Sequence, residues 1–212
     1  MRISLAIMAH PDRTAQAVAL YNKIVQYPFV EPHIIWDQQN SEWHTGRRAL
    51  AYGIGKADCH VVLQDDAIIN EHFFTNLEKA LNAAPLRTCV SLYTGTVRPF
   101  NDRVTKAAEN AKDASWLQGY LLFWGVGIVI PTEHLEPLLE FCDNETDPYD
   151  TRIGLFYFRN TIPVLYTNPS LVDHDDDIGT LIEGRDDLPQ GKRVARNMID
   201  HDVDWNNKIV VI

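Results

Sequence analysis

Apolar and polar residues fall in blocks along this chain, and the blocks switch between two periods. Ile3 to Met8 is a nearly continuous apolar run that ends at His10-Pro11-Asp12, which predicts a buried strand and then a loop. Thr14 can cap a helix reaching about Tyr27, with Ala17, Leu20, Tyr21 and Ile24 at helical spacing. His33 to Trp36 reads as a second strand, stopped by Asp37. Thr45 can open the next helix, whose apolar face is Ala49, Leu50, Gly53, Ile54 and Ala57. Cys59 to Leu63 is a third strand that runs into Gln64-Asp65-Asp66. Asn70 caps an amphipathic helix bearing Phe73, Phe74, Leu77, Ala80 and Leu81.

The alternation continues. Thr88 to Tyr93 predicts a fourth strand, and Asn101 to Lys112 a helix with Val104, Ala107, Ala108 and Ala111 inward. Tyr120 to Ile130 predicts one or two strands bent at Trp124-Gly125-Val126-Gly127. Thr132 and Asp150 can each cap a helix, and Ile162 to Tyr166 is a last strand. Strands alternating with helices predict an α/β fold, a mostly parallel central sheet with helices on both faces. Beyond Asp173 the composition turns to Asp and Gly, including Asp175, Asp176, Asp177, Gly179, Gly184, Asp186, Asp187 and Gly191. We expect one domain over 1–174 and a polar tail over 175–212 that covers a site or stays mobile.

Composition narrows the function classes. The 212 residues include 45% hydrophobic and 23% charged residues, an ordinary globular mixture, and the net charge is −10. An acidic balance argues against a general nucleic-acid coat. Local basic groups, Arg98 with Arg103, Lys106 and Lys112, and Lys192 with Arg193 and Arg196, could still meet a polyanion. The three cysteines are far apart with no CxxC spacing, which predicts reduced buried thiols. No apolar stretch is long enough to span a bilayer, so we expect a cytoplasmic protein with no membrane insertion.

In a parallel sheet, ligands bind beyond the carboxyl ends of the strands. Those ends carry His10, Pro11, Asp12 and Arg13, then Asp37, then Gln64, Asp65 and Asp66. Adjacent carboxylates after an apolar strand repel one another, and a divalent cation such as Mg²⁺ or Mn²⁺ relieves the conflict. The plainer alternative is that Asp65 and Asp66 open a turn. His174, between Asp173 and Asp175, can approach the same ion as a neutral imidazole or sit exposed among carboxylates.

Val61-Val62-Leu63-Gln64-Asp65-Asp66-Ala67 resembles the strand and acidic motif of GT-A glycosyltransferases, in the small phage-encoded style. Pro169-Ser170-Leu171-Val172-Asp173-His174 resembles their late metal-binding segment. The resemblance covers Met1 to His174. It implies a nucleotide-diphosphate-sugar donor, UDP-sugar favoured, with Mn²⁺ or Mg²⁺ held by Asp66 and His174. It implies that Ala9, His10, Pro11 and Arg13 hold the nucleotide, that Asp37 faces the base or ribose, and that Asp65 assists. Gln64 stands where many relatives carry an acid, which weakens the usual ribose contact. Arg47 is a candidate for the donor phosphates or a plain surface charge. Trp124 and Gly125 match a segment lining the sugars, though core packing and a bulge explain them as well. Asp150, with Asp147 second, matches the position of a base for the acceptor hydroxyl, or else caps a helix. The acceptor could be a hydroxylated DNA base, a virion protein or a glycan. Two rival classes are a metal-dependent phosphoesterase or nucleotidyltransferase, drawing on His10 and Asp12, and a non-catalytic nucleotide-binding module.

Overall fold

A computed structural model describes residues 1–97, 101–179, 181, 191–206 and 208–212. Ten strands and six α-helices alternate among the described residues. The first strand, β1 (Ile3–Ala9), leads through a 3₁₀ turn (Pro11–Arg13) into α1 (Thr14–Ile24), β2 (Pro32–Trp36) and α2 (Glu42–Tyr52). Then come β3 (Cys59–Gln64), β4 (Ala67–Ile68), α3 (Phe73–Ala83), β5 (Val90–Ser91) and α4 (Asn101–Asn110). The remainder is β6 (Trp116–Gly119), β7 (Gly127–Pro131), α5 (Thr132–Cys142), α6 (Tyr149–Arg159), β8 (Val164–Thr167), β9 (Asp173–His174) and β10 (Ile209–Val211).

Eight strands form one sheet in the order β10-β6-β8-β5-β7-β3-β1-β2. Four of its seven pairings are parallel (β1 with β2, β1 with β3, β5 with β8, β6 with β10) and three are antiparallel. The sheet is therefore mixed, with β7 lying antiparallel between β3 and β5. The central strands β3 and β7 are buried along almost their whole length, because helices cover both sides. Edge strand β10 is largely exposed, as one with a single neighbour must be. Helix α2 packs on β1, β2 and β3 and against α5 and α6, while α1 packs on β1 and β2. The chain moves from β1 outward to β2 and back past β1 to β3, and right-handed crossovers in opposite directions put α1 and α2 on opposite faces.

Several boundaries differ from the sequence reading, each for a local reason. Ser41, not Thr45, caps α2, its hydroxyl accepting from His44 N at 3.2 Å, so Thr45 falls inside the helix and is buried. Asn70, three residues before α3, accepts from His72 N at 3.0 Å, an Asx turn rather than a helix cap. Thr14, Thr132 and Asp150 lie inside the first turn of their helices and do not cap them; Pro131 and Pro148 precede the latter two. The strand expected over 88–93 pairs only at Val90–Ser91, because Leu92 O turns away to accept from Leu171 N and Val172 N. From the run 120–130 only β7 is a strand, whereas β6 lies just before it, in register with β8.

The described part of the tail packs on the body. Ile199 and Trp205 are buried in the core, and Trp205 meets Trp116 with ring centroids 5.5 Å apart. Asn76, fully buried on α3, accepts from Val203 N at 2.9 Å and Trp205 Nε1 at 3.0 Å. Cys59, Cys89 and Cys142 are buried free thiols. No helix among the described residues is long and apolar enough to cross a membrane.

Candidate functional site

The carboxyl ends of β1, β2 and β3 lie side by side because the three strands are parallel neighbours. Gln64 aligns with Met8, so the acidic pair after β3 sits beside the loop after β1. That register places Asp65 Oδ2 2.7 Å from the His10 backbone N–H. Asp65 and Asp66 are both buried, 6% and 7% exposed. The third chain segment is β9, which pairs antiparallel with β4 and sets Ala67 opposite His174. Asp175 N donates to Asp66 O at 2.8 Å. As a result His174 Nε2 lies 3.4 Å from Asp66 Oδ2.

Small residues open the way for β9. A side-chain carbon on Gly127 would stand 3.0 Å from Val172 Cγ2 and 3.1 Å from Leu63 Cδ2. Gly127 thus lets the segment leading to His174 close over the end of β3. A carbon on Gly125 would stand 3.0 Å from the Tyr149 ring and 3.3 Å from Asp150 Cβ, so this glycine admits the start of α6. Between them Val126 O accepts from Gln64 N at 2.9 Å. The start of α6, with Asp150, thus packs against Gly125, next to the residue that bonds Gln64. The Asp150 carboxylate accepts from Thr151 N at 2.8 Å, while the Asp147 carbonyl accepts from Arg152 Nε at 2.5 Å.

The cation on the acidic pair is Arg13. Its Nη1 lies 3.0 Å from Asp65 Oδ1 and 2.7 Å from Asp66 Oδ2, and its Nη2 donates to Gly179 O at 2.6 Å. The like-charge conflict is relieved from within the chain: Arg13, expected at the nucleotide, answers the acidic pair itself. Burial disfavours the charged guanidinium, yet the two carboxylates more than offset this and raise its pKa further. Burial likewise pushes Asp66 up, but His174 and Arg13 bring it below the usual carboxylate range. Asp65 stays above that range, because burial outweighs the His10 N–H and Arg13.

The other expected residues divide into near and far. Ala9 is buried at the end of β1, and its carbonyl accepts from Asp37 N at 2.7 Å. Asp37 accepts from Gln39 N at 3.0 Å and Ser41 N at 3.1 Å, and these bonds overcome burial to lower its pKa. His10, Asp37 and Arg13 therefore rim the same strand ends, with Pro11 and Asp12 exposed beside them. Arg47 is occupied elsewhere, its Nε 2.7 Å from Asp143. Trp124 is buried edge-on to Tyr93 and Tyr166 and donates to Val97 O at 3.1 Å, a packing role. Arg193 pairs with Asp176 at 2.6 Å and Lys192 with Asp177 at 3.2 Å, so these two basic residues face the acidic run. Arg98, Gly184, Asp186 and Asp187 lie outside the described residues.

No group of three or more His, Cys, Asp and Glu converges as a metal cage among the described residues. Three buried atoms at the site nevertheless have no hydrogen-bond partner: Asp66 Oδ1, His174 Nδ1 and Arg13 Nε. Other buried atoms, among them Thr45 Oγ1 and Trp116 Nε1, also lack one, so the three point to a site only together with the ion pairs around them. An oxygen and an imidazole side by side suit Mn²⁺ or Mg²⁺ that draws its remaining ligands from phosphates and water. Neither a protein-family model nor a curated protein matches this sequence, which leaves the geometry to carry the functional argument.

Proposed function

We propose that the chain is a metal-dependent glycosyltransferase of the GT-A type, which moves a sugar from a nucleotide-diphosphate-sugar to an acceptor hydroxyl. One observation carries the reading. Asp66 and His174, from separate segments, stand 3.4 Å apart at the strand ends, each with a buried atom that lacks a partner. The β4–β9 pairing, which sets Ala67 opposite His174, brings the two segments together.

In this reading Asp66 and His174 hold the metal, which when bound stabilises charge on the leaving diphosphate. Arg13 adds a permanent positive charge beside the phosphates. The side chains of His10 and Asp37 face the nucleoside. Asp65 keeps the loop after β1 in place through His10 N. Asp150 takes the proton of the acceptor hydroxyl, with Asp147 as the second candidate. The net charge of −10 favours a compact acceptor on a glycan or protein over long duplex DNA.

The test is release of UDP from a panel of UDP-sugars with Mn²⁺, each paired with candidate acceptors that include hydroxylated DNA bases. We expect Asp66→Ala to lower metal-dependent turnover by at least about a hundredfold, the scale of losing a main electrostatic stabiliser. His174→Ala should lose less and need more Mn²⁺ for half-maximal rate. An Asp66→Ala variant as active as the parent chain removes the reading. Phosphate release from simple esters with no need for a nucleotide-sugar points to a phosphoesterase instead. Donor binding without turnover points to a binding module.

A further inference from the structure

Arg13 does on the acidic pair what a metal would do. One guanidinium nitrogen bridges both carboxylates, at 3.0 Å and 2.7 Å, and the other binds the Gly179 carbonyl at 2.6 Å. The side chain is only 11% exposed. Gly179 follows a short turn, Asp176–Ile178, whose Asp176 is held by Arg193. Arg13 thus ties the acidic pair to the segment beyond β9. Arg13 Nε, Asp66 Oδ1 and His174 Nδ1 have no hydrogen-bond partner among the described residues.

We propose that Arg13 is an exchangeable counter-cation. It neutralises Asp65 and Asp66 while no metal is bound, yields Asp66 to the metal, and then turns to the diphosphate, letting go of Gly179. The proposal rests on the metal and diphosphate reading above. Its physical basis is simple repulsion. A guanidinium 2.7 Å from Asp66 Oδ2 and a divalent ion on the same carboxylate oppose each other strongly in a buried place. An anionic diphosphate beside both removes the conflict. Metal alone should therefore bind weakly, nucleotide alone should bind weakly, and each should strengthen the other by the same factor.

Mn²⁺ binding to the full chain, followed by the electron paramagnetic resonance of free Mn²⁺ with and without saturating UDP, tests this directly. For the parent chain we expect UDP to tighten Mn²⁺ by about tenfold or more. For Arg13→Ala we expect Mn²⁺ alone to bind about fivefold or more tighter than to the parent, with most of the UDP enhancement gone. Arg13→Lys keeps one charge but not the fork, and should shift the same way by less. Thermal unfolding of each variant establishes that it is folded; if Arg13→Ala is not, Arg13→Lys decides. A folded Arg13 variant that binds Mn²⁺ no tighter than the parent, where Asp66→Ala abolishes binding, overturns the exchange and leaves the metal site standing. Parent-chain Mn²⁺ binding that is absent even with UDP, or is indifferent to Asp66→Ala, overturns the metal site and the exchange together.

Discussion

His60 shows how far one side chain can be argued. It is fully buried on β3, with Nε2 2.9 Å from Ala49 O and Nδ1 2.8 Å from Ser4 Oγ. A carbonyl can only accept, so Nε2 carries the proton and Nδ1 accepts from the Ser4 hydroxyl. Burial lowers its pKa from 6.5 to about 4. Below pH 6.5 the unfolded chain gains a proton there that the folded chain refuses. Stability is therefore full above pH 6.5 and is lost as pH falls toward 4, by roughly 3 kcal/mol at most from this residue. Urea unfolding of the parent chain and of His60→Gln across pH 7 to 4.5 checks it. The variant should be weaker at pH 7 and show a shallower loss on acidification; an equal slope would clear His60 of the effect. Arg13 carries the opposite lesson. The repulsion between Asp65 and Asp66 was legible in the sequence, but which cation answers it was not, because any of several arginines could have been brought there.

At the scale of elements, period and strand-end chemistry were readable, while caps and pairing were not. The six helices overlap the segments where 3.6-residue spacing predicted them, because amphipathic faces are written in local sequence, but α2 starts at Glu42 and stops at Tyr52, which leaves the expected face residues Gly53, Ile54 and Ala57 outside it. Their starts shifted by a few residues wherever a competing side chain or a proline was nearer. The two-residue strands β4 and β9 have no periodicity to read, and their pairing exists only across the fold. Helix packing adds its own demands. Tyr149, fully buried at the start of α6, is clasped between Gly46 on α2 and Gly125. A carbon on Gly46 would stand 2.4 Å from the Tyr149 ring, closer than any real contact. Gly46→Ala should therefore lower stability by about 1–3 kcal/mol, the cost of overpacking, despite the better helix propensity of alanine. Chemical denaturation measures this; a neutral or stabilising change would mean that Tyr149 has room to move.

For the whole molecule, the last forty or so residues matter most, because composition alone described them as a polar tail. Trp205 sits 8% exposed against Trp116 and Asn76, and β10 extends the sheet beside β6. Trp205→Ala should cost about 3–5 kcal/mol, the usual loss for removing a large core aromatic. Equilibrium unfolding would show it as a lower midpoint with the same cooperativity; a loss under about 1 kcal/mol would mean that this segment merely rests on the surface. By itself the sequence determined the α/β alternation, the core residues of the central strands and the acidic pair at a strand end, since each follows from local period and residue type. Tertiary structure alone decided strand order, the antiparallel β7, the β4–β9 pairing that carries His174 to Asp66 and the choice of Arg13 as partner of the acidic pair. Those outcomes depend on which distant segments bury each other's apolar faces, and no local pattern encodes that choice.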